Sequence, residues 1–71
     1  MIFPDRLRQL REESGLSQRQ LADRSGLSLT IIRFYEYGKS GPPGYSLFHL
    51  ADALHVSMDY LYGRTDRRDV D

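Results

Sequence analysis

The sequence predicts an all-α fold, a compact five-helix bundle in which helices 2 and 3 form a helix-turn-helix. Three observations support this: glycines and prolines divide the chain into short segments, apolar residues recur at helical spacing, and no strand-like alternation of useful length appears. Since 71 residues bury only a small core, we expect a single domain over residues 1–63. The charged residues 64–71 are expected to form a disordered tail.

Helix 1 is predicted from about Pro4 to Ser14. Proline is favoured at a helix start, and Leu7 and Leu10 place apolar groups on one face. Gly15 directly follows the last residue, so we expect it to end the helix.

Helix 2 begins at a capping box. Ser17 is followed three residues later by Gln20, so that each side chain can bond to the other residue's backbone amide. Leu21 and Ala22 turn inward, and Gly26 stops the helix.

Helix 3 begins almost immediately afterwards, since only Leu27 separates Gly26 from a second N-cap residue, Ser28. It is predicted to run to Tyr37, before Gly38. So short a connection requires a sharp angle between helices 2 and 3, which is typical of a helix-turn-helix.

Helices 4 and 5 follow a loop of residues 39–44, whose prolines and glycines exclude regular structure. Helix 4 is predicted from a buried stripe at helical spacing, formed by Leu47, Leu50, Ala51 and Leu54. Ser57 caps a brief helix 5, which spans Met58 to Tyr62 and stops at Gly63.

Composition and charge exclude several classes of protein. Ten basic and ten acidic residues give no net charge, although residues 1–40 carry +2 and residues 41–71 carry −2. Without cysteine, neither a disulfide framework nor a thiolate zinc site can form, which favours a cytoplasmic protein. The first residues lack the order of a signal peptide, and no apolar run is long enough to span a membrane.

No pattern of catalytic residues is present. His49 and His55 do not share a helix face, and no cysteine or carboxylate cluster completes a metal site. Glu12 and Glu13 are adjacent, so they point in different directions rather than forming an acid–base pair. We therefore expect no enzyme, no metal, no cofactor and no small-molecule ligand.

Five segments carry a resemblance to a known family. They are Leu16-Ser-Gln-Arg-Gln-Leu-Ala22, Ser25-Gly-Leu-Ser28, Tyr35-Glu-Tyr-Gly-Lys39, Leu50-Ala-Asp-Ala-Leu54 and Val56-Ser-Met-Asp-Tyr-Leu-Tyr-Gly-Arg-Thr-Asp66. In their order and spacing, residues 6–66 resemble the Cro and phage-repressor type of helix-turn-helix domain, the XRE-like family. The resemblance implies a DNA-binding transcriptional regulator, usually a dimeric repressor, that places helix 3 in the major groove of an inverted-repeat operator.

The resemblance also implies which residues hold the backbone of double-stranded DNA. Gln18 lies in the first turn of helix 2, where the helix dipole favours a phosphate. Lys39 and Ser40 match a second phosphate clamp, just after helix 3. Arg19 and Ser28, near the starts of helices 2 and 3, complete the expected phosphate contacts.

Two further groups of residues receive structural roles from the resemblance. Arg11 and Glu36 are expected to form an internal salt bridge between helices 1 and 3, with a role in architecture rather than in base readout. Helix 5 carries the expected homodimer interface, at Met58, Tyr60 and Tyr62. The alternative for helix 5 is that it merely closes the core over helix 1.

Helix 3 is expected to read the bases. If Ile32 points inward, a rotation of about 100° per residue brings Tyr35 to the same face and turns the expected readout residues outward or to the flank. The predicted base-reading residues are Leu29, Thr30, Arg33 and Phe34. Members of the family commonly hold polar residues at these positions, and only Arg33 has the fork that could hold guanine O6 and N7.

Three interpretations of this apolar helix remain open. In the first, Leu29 and Phe34 contact thymine methyl groups while Thr30 and Arg33 make polar contacts. In the second, the protein holds DNA through phosphate contacts and shape, with little sequence discrimination. In the third, Leu29, Ile31 and Phe34 bind a protein partner, so that the chain is an interaction module or an antitoxin-like partner.

Overall fold

The computed structural model describes residues 2–69 and folds them into five α-helices without a strand. The helices are α1 (Ile2–Glu13), α2 (Gln18–Ser25), α3 (Leu29–Glu36), α4 (Gly44–Leu54) and α5 (Met58–Tyr62). The predicted all-α five-helix bundle is confirmed. Within the same residues, no helix combines the length and the apolar character needed to cross a membrane.

The helix ends follow the predicted capping residues, whereas α1 starts two residues earlier than Pro4. Pro4 is the third residue of α1, where the backbone has no N–H partner within the helix, so the proline costs no hydrogen bond there. Ser17 and Gln20 form the expected capping box, with side-chain-to-backbone distances of 2.8 and 3.0 Å. Ser57 caps α5 by accepting the N–H of Tyr60.

The core lies where the apolar faces of the helices meet. α1 packs against α3 and α5, α2 against α3 and α4, and α4 against α5. The fully buried apolar side chains come from every helix: Leu7, Leu21, Ile32, Leu50 and Leu61. Phe3 and Tyr35 add an edge-to-face ring contact, with centroids 5.7 Å apart, that fastens α1 to α3.

Residues 64–69, which we call the C-terminal strap, run back along α5 towards its N-terminus. Arg6 in α1 donates to the carbonyl oxygens of Tyr60, at 2.6 Å, and Thr65, at 2.7 Å. The Ser57 N–H donates to the carbonyl oxygen of Arg68 at 2.8 Å. The strap is therefore bonded to α1 and to the residue that caps α5.

The charged composition predicts disorder from residue 64 onward, whereas residues 64–69 make these contacts. Composition shows that the segment is charged, but it does not show that Arg6 and Ser57 lie within reach of its carbonyl groups. The remaining part of the expected tail, residues 70 and 71, lies outside the described residues.

Gly63 joins α5 to the strap in a conformation that suits only glycine. Its φ is +93°, and a Cβ added there would lie 2.6 Å from Cγ2 of Ile2. The start of α1 thus packs directly against the backbone at the end of α5.

Candidate nucleic-acid interface

The turn between α2 and α3 is built from a left-handed glycine and an N-cap serine. Gly26 has φ +76°, and its N–H and that of Leu27 both donate to the carbonyl oxygen of Ala22. Ser28 then accepts the N–H of Ile31 and starts α3. The turn between the two helices thus takes only residues 26–28, and the N-cap residue of α3 is exposed.

The outward side of α3 carries both polar and apolar groups. Thr30 and Arg33 are exposed, as are Phe34 at 44% and Tyr37 at 67% of their surface. Leu29 is only partly exposed, because it also packs against the core. A surface of this composition can offer a hydroxyl, a guanidinium fork and an aromatic edge to a DNA groove.

The inward side of α3 holds the helix in place. Ile32 and Tyr35 are buried, in agreement with the expected orientation. Ile31 lies between the two sides and is partly exposed. Rotation of α3 would expose two large side chains, so the direction of its outward side is fixed by the core.

The expected phosphate-binding residues lie at two neighbouring places. Gln18 is the first residue of α2, and Arg19 beside it is exposed. Lys39 and Ser40 follow α3 and are also exposed, with the Lys39 N–H bonded to the carbonyl oxygen of Phe34 at 2.9 Å. Ser28 is exposed at the other end of α3, and its hydroxyl hydrogen can still donate to a phosphate.

Arg11 and Glu36 form an ion pair between α1 and α3, with Arg11 Nε 2.6 Å from Glu36 Oε2. The side chains expose only 13% and 1% of their surface. Hydrogen bonding to Glu36 raises the pKa of Arg11 and outweighs the lowering effect of burial. The Arg11 guanidinium therefore stays charged, and the position of the pair depends on the packing of α1 against α3.

The structure adds a contact that the sequence does not reveal. Gln18 Nε2 donates to Glu36 Oε1 at 3.1 Å, so the first residue of α2 is bonded to the last residue of α3. No sequence pattern indicates a bond between residues 18 apart in the chain, because it depends on how the two helices pack. The bond brings the start of α2 next to the end of α3, three residues before Lys39.

The residues expected at a dimer interface differ in exposure. Tyr62 exposes 50% of its surface and Met58 is partly exposed. Tyr60 is buried, and the guanidinium groups of Arg6 and Arg68 lie 4.1 and 5.2 Å from its ring centroid. Tyr60 thus contributes to the fold of the monomer and offers little surface to a partner.

The two histidines lie on or beside α4, and both are exposed. His55 adopts the left-handed conformation that ends this helix, with φ +59°. Among residues 2–69, no three His, Asp or Glu side chains are grouped in a way that could hold a metal ion.

Known structures resemble this arrangement of helices. The solution structure of the DNA-binding domain of the P22 c2 repressor has a TM-score of 0.82 at 31% identity, over 87% of this chain and 82% of that chain. The crystal structure of the P22 c2 repressor in complex with synthetic operator 9T has a TM-score of 0.85 at 29% identity, over 92% of this chain and 98% of that chain.

Similar proteins also occur among curated sequences. The cryptic phage CTXphi transcriptional repressor RstR of Vibrio cholerae is 41% identical over 64 residues, which are 90% of this chain and 57% of the relative. The HTH-type transcriptional regulator YobD of Bacillus subtilis is 38% identical over 68 residues, which are 96% of this chain and 61% of the relative. The chain thus spans about three fifths of the length of these two relatives.

Residues 7–61 match the sequence pattern of a protein family described as helix-turn-helix. This span begins in α1, ends in α5 and includes the whole of α2 and α3. The chain belongs to the helix-turn-helix family, of the Cro and phage-repressor type.

Proposed function

We propose that this chain is a sequence-specific, DNA-binding transcriptional regulator, and a repressor in the simplest case. The observation that carries the proposal is the exposed outward side of α3, with candidate phosphate-binding residues at Gln18 and at Lys39 on neighbouring helix ends. Two similar proteins support the proposal, since RstR is a transcriptional repressor and the P22 c2 repressor was crystallised with a synthetic operator. Such a regulator acts where the DNA lies, which we expect to be the cytoplasm.

Base readout is assigned to the N-terminal and outward part of α3. Arg33 can hold the O6 and N7 atoms of a guanine, and Thr30 can bond to a base edge. Phe34 can contact a thymine methyl group with its exposed ring. Leu29 is partly covered by the core, so we expect it to contribute less than Phe34.

Contacts to the DNA backbone are assigned to the start of α2 and to the end of α3, which are joined by the bond between Gln18 and Glu36. The backbone amides and side chain of Gln18 lie at the positive end of the α2 dipole, and Arg19 adds a charge beside them. Lys39 and Ser40 supply a cation and a hydroxyl after α3, and Ser28 adds a hydroxyl before it. These contacts would supply most of the affinity that does not depend on sequence.

We further propose that the chain binds DNA as a homodimer through the side of the bundle that carries Met58 and Tyr62. An open groove of about 470 Å³ runs beside Met58 between α4 and α5, with Phe48 and Val56 along its sides. Apolar groups at its rim could be covered by the second copy. The two α3 helices would then lie about 34–36 Å apart and read an inverted repeat.

The test is to select genomic fragments in solution with the purified chain at about physiological ionic strength, where non-specific phosphate attraction is weakened. The expected result is recovery of a compact inverted repeat. Recovery of no sequence above background would overturn the proposal. It would favour the interpretation in which the apolar groups of α3 bind a protein partner.

The phosphate contacts are tested on the recovered sequence. Lys39→Gln should lower the affinity and reduce the slope of log K against log salt by about 1. Arg64→Gln is the matched control, because it removes an exposed positive charge in the strap, which is bonded to α1 and α5. Equal slopes for wild type and Lys39→Gln would remove Lys39 from the interface.

A further inference from the structure

The carboxylate of Glu36 joins the ends of three helices. It accepts hydrogen bonds from Arg11 Nε at 2.6 Å, from Arg11 Nη2 at 3.0 Å and from Gln18 Nε2 at 3.1 Å. Arg11 lies in the last turn of α1, Gln18 is the first residue of α2 and Glu36 is the last residue of α3. We call these three residues the Arg11–Glu36–Gln18 triad.

The triad also fixes the turn that leads into α2. Arg11 Nη1 donates to the carbonyl oxygen of Leu16 at 2.9 Å, and the Leu16 N–H donates to the carbonyl oxygen of Arg11 at 3.1 Å. Both bonds hold the backbone two residues before Gln18. The backbone amides at the start of α2 and the Gln18 side chain are therefore positioned by the same guanidinium and carboxylate groups.

From this geometry we infer that Glu36 is a positioning residue for the phosphate contact of Gln18, in addition to its part in the fold. The inference rests on the proposed function. One hydrogen of the Gln18 carboxamide is bonded to Glu36, which sets the direction of the second hydrogen before DNA arrives. The Gln18 side chain then loses its rotamer freedom on folding rather than on DNA binding. It therefore holds the phosphate more tightly than a freely rotating side chain would.

Arg11 makes this arrangement compatible with a nearby phosphate. An uncompensated carboxylate at Glu36 would repel the phosphate that Gln18 is expected to hold, because charges of like sign lie close together. The two bonds from Arg11 neutralise the carboxylate without using the acceptor capacity that Gln18 needs. The ion pair thus allows an acidic residue to orient a phosphate-binding side chain.

A double-mutant cycle separates this role from stability. The pair is replaced by apolar side chains of similar length, Arg11→Met with Glu36→Met, because replacement of a whole buried ion pair is often tolerated. Operator affinity is then measured with Gln18 intact and in the Gln18→Ala background, at a temperature where circular dichroism shows all four proteins to be folded.

We expect the pair replacement to weaken binding about three- to tenfold when Gln18 is present, and by a clearly smaller factor in the Gln18→Ala background, where only the loosened turn at Leu16 contributes. If the Arg11–Glu36 pair only stabilises the fold, its replacement should change the operator affinity by the same factor with and without Gln18. That result would overturn the positioning role of Glu36 but not the proposed function. A wild-type chain that binds no DNA would overturn the proposed function and this inference together.

A second measurement uses the wild-type protein without DNA, and it decides the matter if the double replacement fails to fold. The carboxamide protons of Gln18 should exchange slowly and report one rotamer by NMR. Gln9 is the matched control, because its Nε2 lies 3.2 Å from Glu13 Oε2 but both side chains are exposed. If the carboxamide protons of Gln18 exchange as fast as those of Gln9, and its side chain averages over as many rotamers, the positioning role of Glu36 is contradicted.

Discussion

Arg68 and Glu13 form a doubly hydrogen-bonded ion pair across 55 residues of sequence, with Nη1–Oε1 and Nη2–Oε2 distances of 2.9 and 3.2 Å. The pair fastens the C-terminal strap to the end of α1. Its planar, two-point geometry is specific to arginine and a carboxylate. The strap is thus held by a side-chain contact as well as by the backbone bond between Arg68 and Ser57.

Arg68→Ala should loosen the strap while the helices remain folded. The Ser57 N–H would lose protection, because its acceptor is the carbonyl oxygen of the released residue. Hydrogen exchange of the Ser57 amide measures this. Arg67→Ala is the control, since the Arg67–Asp69 ion pair is exposed and longer, at 3.9 Å. Equal protection of Ser57 in both variants would contradict a strap held by Arg68.

Acid should weaken the Arg68–Glu13 ion pair. Hydrogen bonding to Arg68 lowers the pKa of Glu13 from its ordinary value of 4.5. A lowered pKa in the folded state means that the stabilisation is complete above about pH 4.5 and is lost as the pH falls through the folded-state value. The free energy of unfolding should therefore contain a Glu13-dependent decrease only below this pH.

Glu13→Gln supplies the control for this acid transition. The variant should be less stable than wild type near neutral pH, and the difference should shrink on acidification. Urea unfolding at several pH values provides the comparison. A difference that stays constant from neutral pH to pH 3 would show that the charge of Glu13 has no part in it.

Arg11→Ala should destabilise the fold by roughly 3–5 kcal/mol, because it leaves the Glu36 carboxylate buried without a counter-charge. Arg8→Ala should cost less than about 1 kcal/mol, since the Arg8–Asp5 ion pair is exposed and the other bond of Arg8, to the carbonyl oxygen of Glu36, is long at 3.4 Å. Thermal unfolding of both variants tests the contrast. Similar losses in the two variants would mean that burial of the Arg11–Glu36 pair does not matter for stability.

Phe34→Ala should change sequence preference more than overall affinity. The exposed ring of Phe34 lies on the outward side of α3, where it can favour thymine through contact with the methyl group. Selection of binding sites with wild type and variant measures the preference at each base pair, and we expect about 1–3 kcal/mol at one or two positions. An equal loss of affinity on every sequence would show that Phe34 does not read bases.

Gly63→Ala should lower stability by at least 1–2 kcal/mol, roughly the cost of a left-handed backbone for a residue with a Cβ. The close approach to Ile2 adds to this cost. Gly41→Ala is the control, because an added Cβ there meets no atom within 4 Å and its backbone is not left-handed. Chemical denaturation that gave the same midpoint for both variants would contradict the packing of α1 against the end of α5.

Local signals in the sequence are sufficient to predict where the helices lie and which side of α3 faces the core. Ser17, Ser28 and Ser57 each start a helix in the structure, because a capping serine acts on backbone amides two or three residues away. Ile32 and Tyr35 face the core because helical periodicity alone places them on one side. These features depend on neighbouring residues, which a single sequence displays.

The contacts that sequence reasoning missed all join distant parts of the chain. The Gln18–Glu36 bond and the contacts of the buried Tyr60 ring with two arginines depend on packing that no spacing rule describes. Composition predicts disorder in the strap for the same reason, since the partners of the strap lie in α1 and at the start of α5. The base-reading and phosphate-binding roles remain predictions that DNA binding must test.

The bonds that Arg6 makes have a consequence for folding during synthesis. Arg6 leaves the ribosome before its partners Tyr60, Thr65 and Asp66, which follow 54 to 60 residues later. α1 therefore cannot complete its contacts until nearly the whole domain has been translated, and a nascent chain interrupted before α5 keeps Phe3 and Leu7 partly uncovered. Ribosome-bound intermediates of this domain should accordingly be sensitive to proteases until residue 66 has left the exit tunnel.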